Sequence, residues 1–319
     1  FSLAPLETLY LGGGTPSLWG QSGTEFLDSF FKKINLSFSD ELEFTMESNP
    51  GSLMREDLSL WRKLGVNRFS VGIQSFDEHY LPLLDRVHSL EESKKILTLL
   101  KNQQMNFSVD LMIGLPEIKG QKRDVLREVE QLMEYNPSHF SVYILTVKNN
   151  FPHIKEIPDD EAVSEEYLRV CSFLELHGYE QYEVSNFAKK DRFSRHNYRY
   201  WDLSPVMSIG PSAVGFLPLS EEKALRYRVD NSALKLTEEF IEGESLELER
   251  IYLKLRTQSG LLLSDFSQSV QKEVKALFES WERDSYALYE RETGHLKLRS
   301  KGYIISDFLL QKLLEVAKK

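Results

Sequence analysis

Cysteine is almost absent from this 319-residue chain, which has one, Cys171. A single thiol excludes any disulfide within the chain, fits a reducing compartment and leads to the expectation of a cytoplasmic protein. Basic charge is also in deficit: Lys and Arg number 39 against 49 Asp and Glu, a net charge of −10 at pH 7. General binders of nucleic acid or of anionic membranes need clustered Lys and Arg, so no nucleic-acid partner is expected. No apolar run approaches the roughly 20 residues needed to cross a bilayer. Phe1–Pro5 has neither the basic nor the long apolar region of a signal peptide. Repeats and low-complexity linkers are lacking too. What remains is ordinary globular composition, 41% hydrophobic and 28% charged, with length enough for one large domain and a smaller one.

Through the first 190 residues, short β-rich runs alternate with amphipathic segments. The expected strands are Glu7–Leu11, Glu41–Met46, Arg68–Ile73, Phe107–Met112, His139–Leu145 and Gln181–Val184. The expected helical stretches lie near 23–34, 54–64, 90–102, 121–135 and 160–177. Such alternation means βαβ units and a parallel sheet, which either winds doubly or curls into a barrel. After about residue 235 the texture changes. Leu246–Arg256, Val270–Glu282 and Lys301–Lys318 read as helices, with a hairpin of Ala287–Tyr289 and Leu296–Leu298 around Glu292–Gly294, an order that looks like a winged-helix module. The expected domains are 1–230 and 231–319.

Unusual residues gather where the early strands end. The first strand runs into Gly12-Gly13-Gly14-Thr15, the second into Glu47-Ser48-Asn49-Pro50-Gly51, and the third into Gln74-Ser75. The fourth carries Asp110 and runs on to Gly114, and the fifth ends at Thr146. Ligands of parallel α/β folds bind at the carboxyl ends of strands, so five such ends on one rim imply a shared site. Taken singly, each also fits a plain structural role. The glycines suit a tight turn, Glu47 and Asp110 suit helix N-caps, Gln74 suits a loop backbone and Arg86 suits a solvated surface.

Six segments together resemble the consecutive motifs of the oxygen-independent coproporphyrinogen III oxidase family. They are LGGGTPS at 11–17, ESNPGS at 47–52, NRFSVGIQSFD at 67–77, SVDLMIGLP at 108–116, HFSVYILT at 139–146 and YEVSNFA at 182–188. The family belongs to the radical S-adenosylmethionine (SAM) superfamily. The resemblance therefore implies an α/β fold, an incomplete (β/α)6 radical SAM barrel followed by a smaller C-terminal helical, winged-helix-like domain. It also implies SAM as a cofactor. Gly13 and Gly14 would let backbone groups approach the methionyl moiety, with Thr15 following. Glu47, Gln74 and Asp110 would meet the ammonium or ribose. Arg86 would grip the carboxylate, and Thr146 and Val214 would add two further contacts.

The family's CxxxCxxC loop, whose thiolates hold three irons of a [4Fe-4S] cluster, does not occur in this sequence, and Cys171 matches no cluster position. Phe1 stands eleven residues before Gly12. We expect the first strand and its cluster loop to lie outside this chain rather than to have been lost, because the downstream cofactor residues are intact. Lys148 is a lesser departure, standing where the family usually has Glu. His196-Asn197-Tyr198-Arg199-Tyr200-Trp201 reads HNxxYW and resembles the heme-binding motif of the HemW branch of this family. That branch implies heme as ligand, with His196 on the heme iron and Asn197, Tyr200 and Trp201 around it. Arg195 would serve a propionate. The expected partners are heme or porphyrin and an acceptor protein, soluble or membrane-associated. Two other functions stay open. One is the family's radical decarboxylation of coproporphyrinogen III; the other is a degenerate barrel kept for protein contacts.

Overall fold

The computed structural model describes residues 5–118, 123–232 and 234–317. Phe1–Ala4, the first two residues of the expected 121–135 segment and Lys318 lie outside the described residues. The chain forms two compact units, Phe1–Glu180 with Ser185–Phe193, and Gln181–Val184 with Ser194–Lys319. The 230/231 division expected from sequence falls inside the second unit.

In the first unit, five strands alternate with five helices: β1 (Leu6–Leu11), α1 (Gly20–Lys33), β2 (Phe38–Ser48), α2 (Arg55–Leu64), β3 (Arg68–Gln74), α3 (Leu90–Asn102), β4 (Asn106–Ile113), α4 (Val125–Met133), β5 (His139–Ile144) and α5 (Asp160–Leu176). Strands β1 to β5 lie side by side in chain order, every pair parallel. The order never reverses, so there is no switch point of the doubly wound kind, and the arrangement is that of an incomplete (β/α) barrel. Side chains alternate between the faces of each strand. Phe44, Met46, Phe69, Val71, Phe107, Val109 and Phe140 are fully buried on one face. The other face carries Thr45, Arg68, Ser70, Ser108, His139 and Ser141, also buried.

Gln181–Val184 does not continue the parallel sheet as expected. Only its first residue joins, in the two-residue β6 (Glu180–Gln181), and the next strand, β7 (Asn186–Ala188), pairs antiparallel with β5. The physical reason is competition for backbone groups. Val184 N donates to Arg256 O at 3.1 Å, Gln258 N donates to Tyr182 O at 2.9 Å, and Glu183 bridges Thr257. Those partners belong to the second unit, and a peptide group spent there is not available to β5.

The second unit opens with the short α6 (Arg195–Trp201). An antiparallel sheet of β8 (Val214–Ser220), β9 (Lys223–Val229) and β10 (Leu236–Glu242) follows, with a small core of Phe216, Ala224, Ile241 and Leu246. Next come α7 (Glu244–Leu255), β11 (Leu261–Leu262), α8 (Gln271–Arg283), β12 (Ala287–Glu290), β13 (His295–Leu298), α9 (Ser300–Ile304) and α10 (Ser306–Ala317). The hairpin β12–β13 and β11 make a three-stranded wing. Leu255, Val274, Phe278, Trp281, Leu296 and Leu313 centre the core beneath it. The expected winged-helix-like order is present. The last helix is broken at Ile305 into α9 and α10.

Candidate functional site

Strand β3 shows how the site is built. Phe69, Val71 and Ile73 face the apolar core, so Arg68, Ser70 and Gly72 must face the other way. Register then sets polar neighbours beside them: Thr45 beside Arg68, Glu47 beside Ser70, Ser70 beside Ser108, Ser108 beside His139, and Asp110 beside Ser141. The result is a polar floor beneath the carboxyl ends of the strands. Burial and then the Arg68 charge push His139 well below the usual imidazole range, leaving it neutral.

Above that floor, Glu47 ties the glycine run in place. Its Oε1 accepts from the Tyr10 hydroxyl at 2.7 Å and its Oε2 from Gly13 N at 2.9 Å. Each oxygen keeps further acceptor capacity. Burial, reinforced by the Glu47 charge, raises the Tyr10 phenol well above its ordinary value, so Tyr10 remains a donor. Gly13 and Gly14 have φ of 82° and 59°, a conformation that favours glycine, and a Cβ on either would meet nothing within 4 Å. Their backbone is therefore open to an approaching ligand. Gly12 is confined instead, since a Cβ there would stand 2.6 Å from the Tyr10 ring.

Thr15 is linked to the end of β2 through Asn49, whose Nδ2 donates to Thr15 Oγ1 at 2.8 Å. A Cβ on Gly72 would lie 3.0 Å from both Asn49 Oδ1 and Gln74 Nε2, so these amides converge over a bare backbone. Gln74 itself has φ of 68° and follows a register shift between Val71 and Gln74, a bulge that re-aims its side chain. The loop beyond it is pinned by Glu128, which accepts from Ser75 Oγ at 2.7 Å and Phe76 N at 2.6 Å and pairs with the buried Arg123.

Asp110 accepts from Ser70 Oγ at 3.2 and 3.3 Å. Part of the residue meets solvent, but burial of the carboxyl dominates and raises its pKa from 3.8 to about 6, against the lowering influence of Ser141, Arg68 and Ser70. Neither Glu47 nor Asp110 caps a helix. The N-cap positions of α2, α3 and α4 are Met54, Ser89 and Asp124.

Arg86 is half-buried between β3 and α3. It follows the end of β3 by twelve residues and stands two before the buried His88, whose imidazole pKa is lowered chiefly by burial, with the Arg86 charge adding to it. Thr146 is exposed just past β5. Gly13, Gly14, Thr15, Glu47, Gln74 and Thr146 thus stand at or just past strand carboxyl ends of the first unit, with Asp110 inside β4 beneath them. Val214 does not: it begins β8 in the second unit, where its carbonyl accepts from the Tyr200 hydroxyl at 3.3 Å. Sequence reasoning named Asn49 only as part of a strand-end cluster and passed over Tyr10, Arg68 and His88. The alternation of Arg68, Ser70 and Gln74 with Phe69, Val71 and Ile73 was the available signal.

The heme-motif residues lie on α6. Positions 196, 197, 200 and 201 follow the i, i+1, i+4, i+5 spacing of a single stripe. His196, Asn197 and Trp201 are half-buried and Tyr200 is 39% exposed, so the stripe is accessible along its length. The His196 and Tyr200 rings sit edge to face at 5.9 Å. Tyr198, off the stripe, packs on the fully buried Tyr182 and bonds Ser259, which fixes the helix's rotation.

The residues present fit SAM: open backbone at Gly13 and Gly14, acceptors at Glu47 and Asp110, and a cation at Arg86. They do not fit a [4Fe-4S] cluster. Cys171 is buried in α5, and no group of three or more His, Cys, Asp and Glu among the described residues could hold a metal ion. Among the described residues no helix is long and apolar enough to cross a membrane.

Residues 2–129 match the model of the Radical SAM superfamily. The heme chaperone HemW of Bacillus subtilis (strain 168) is 31% identical over 306 residues, covering 88% of this chain and 77% of that protein. The heme chaperone HemW of Buchnera aphidicola subsp. Schizaphis graminum is 31% identical over 252 residues, 78% of this chain and 65% of that protein. The chain spans less than two thirds of the length of several such relatives. In fold it is similar to the Escherichia coli coproporphyrinogen III oxidase HemN, described as a radical SAM enzyme, with a TM-score of 0.74 and 18% identity. That match covers 97% of this chain and 77% of the other.

Proposed function

The chain belongs to the HemW family within the radical SAM superfamily, and on that premise we propose that it is a heme-trafficking protein that carries heme on the His196 stripe of α6. The observation that carries the reading is the stripe itself. One imidazole stands a turn before a tyrosine and the tryptophan next to it, with the opposite side of the helix locked by Tyr198. A neutral imidazole is a standard axial ligand for heme iron, and flat aromatic rings suit a porphyrin face. Accessibility matters as much as affinity, because a carrier must release its cargo to an acceptor protein. A half-exposed helix permits both; a closed pocket would permit only retention.

The first unit's cleft is assigned to SAM. Gly13 and Gly14 present backbone to the methionyl group, and Arg86 takes its carboxylate in a charge-assisted pair. Thr15, Glu47, Gln74 and Asp110 supply acceptors and donors for the ammonium and ribose, with Thr146 as a further contact. The single cysteine agrees with a reducing cytoplasm.

Heme titration of wild type and His196→Ala, followed at the Soret band, tests the assignment. Saturable binding that weakens at least tenfold in the variant is expected. Identical spectra and affinities would remove His196 from the role. Absence of saturable binding in both would return radical decarboxylation of a porphyrinogen to first place.

A further inference from the structure

At the opposite end of the barrel strands lies a cavity of about 800 Å³. It is walled by the turns entering β3, β4 and β5 and by the loop that leaves β7, all in the first unit. Its lining includes Arg62, Lys101, Lys189, Lys190 and Arg192, and no Asp or Glu. Asp191, in the same loop, does not line it. Five cations around one hollow are unexpected in a chain of net charge −10.

The plain explanation is that these cations cap helix ends. Helices α2, α3 and α4 all finish here, and Gly65, Gln104 and Asn136 turn the chain back with φ of 112°, 51° and 59°. Lys101 Nζ does donate to the Glu134 carbonyl at 2.7 Å. The magnitudes decide against this as the whole account. A helix C-terminus is worth roughly −0.5 of a charge, so three of them offset about 1.5 of the five positive charges. A surplus of about three remains.

That surplus has no carboxylate to meet. Among the described residues none of the five forms an ion pair. Arg62 reaches the Gln103 amide at 3.4 Å, and Lys189 donates to the Asn136 side-chain oxygen at 2.6 Å. Burial lowers the Lys189 ammonium from its ordinary value, a cost that a bound anion would offset. Three of the cations lie on the β7 loop and not in the last turn of a helix.

We propose that this cavity is a second ligand site, one that takes a nucleoside di- or triphosphate. A ligand bearing three to four negative charges in a compact group matches the surplus. The two guanidiniums can engage phosphoryl oxygens in pairs. The volume exceeds what a diphosphate alone fills and falls within the range of small-molecule pockets. Val66, Met105, Phe107 and Tyr135 give it an apolar wall for a base. A long polyanion such as nucleic acid fits less well, because the rest of the surface repels it. The site is separate from the SAM cleft: the six steps from Arg68 to Gln74 at about 3.3 Å each put the two roughly 20 Å apart.

Calorimetric titration of ATP, ADP, adenosine and citrate without divalent cations tests the proposal. The full chain is compared with the Lys190→Gln/Arg192→Gln double variant. Both positions are exposed, so circular dichroism should report an unchanged fold. Lys101→Gln is the reserve if it does not. Expected are saturable ATP binding, weaker ADP binding, none for adenosine, a loss of at least tenfold in the variant, and no displacement by excess SAM. The proposal is overturned by absent ATP binding, by unchanged affinity in a folded variant, by displacement with SAM, or by citrate or a duplex oligonucleotide binding as tightly as ATP.

Discussion

Asp110→Asn asks whether the floor of the first unit's cleft is held at a cost to stability. The wild-type carboxyl has its pKa raised from 3.8 to about 6, chiefly by burial. The folded protein therefore keeps a proton that the unfolded chain releases near 3.8. Between those values the folded state binds more protons, so its stability falls as pH rises and then levels off above about 6. At about 1.4 kcal/mol per pH unit, the full penalty is about 3 kcal/mol. Asparagine has nearly the shape of the protonated acid and does not titrate. The variant's advantage over wild type should thus grow by up to about 3 kcal/mol between about pH 4 and about pH 7. Comparing the two pH values removes any constant difference between amide and acid. Urea unfolding followed by circular dichroism measures it directly. A difference that does not change with pH, or one that shifts in favour of wild type at the higher pH, would refute the reasoning. The same substitution should weaken SAM binding, as expected where a stability cost serves a ligand.

Other consequences are as direct. Glu47→Ala frees both the Tyr10 hydroxyl and Gly13 N; SAM affinity measured by equilibrium dialysis should drop at least tenfold while heme titration is unchanged, and equal loss of both would point to general unfolding. Arg123→Ala leaves Glu128 charged in a place where the pair's side chains are only 7% and 5% exposed. The cost should be about 3–5 kcal/mol in urea unfolding, and less than about 1 kcal/mol would contradict the pair's role. Gly302→Ala places a Cβ 2.1 Å from the Tyr286 carbonyl oxygen, which as backbone cannot swing aside. It should cost more than about 2 kcal/mol by the same measurement, and near-wild-type stability would show that the close approach is relieved cheaply.

Much of this was legible in the sequence because strand ends and strand alternation are local signals. The glycine run, Glu47, Gln74 and Asp110 could be assigned to one rim from order alone, since parallel strands in sequence must end together. What the strands do on their inner face was harder to read. The same alternation that marks Phe69 and Val71 as core marks Arg68 and Ser70 only as polar, and polar usually means solvent. Burial of Arg68 and His139 follows from the barrel's closing around them, which is a property of five strands and not of one. The sheet β8–β10 was missed because Pro218 and Gly215 interrupt the strand pattern. Gly215 is there for a tertiary reason, because a Cβ would overlap the Tyr227 ring at 2.2 Å. Gln181–Val184 had strand character but spends its hydrogen bonds on Arg256–Gln258, a pairing across more than seventy residues that no local pattern announces. The cationic cavity was invisible for a similar reason: its charges are scattered through positions 62, 101 and 189–192 within an acidic chain.

The proposed heme carriage puts an imidazole of α6 on the heme iron. Rescue of His196→Gly by added imidazole tests it most directly. The glycine variant should lose the wild-type Soret position and most of its heme affinity. Free imidazole should restore both, while imidazole leaves the wild-type spectrum unchanged. A His196→Gly protein that binds heme with the wild-type spectrum before any imidazole is added would contradict the account.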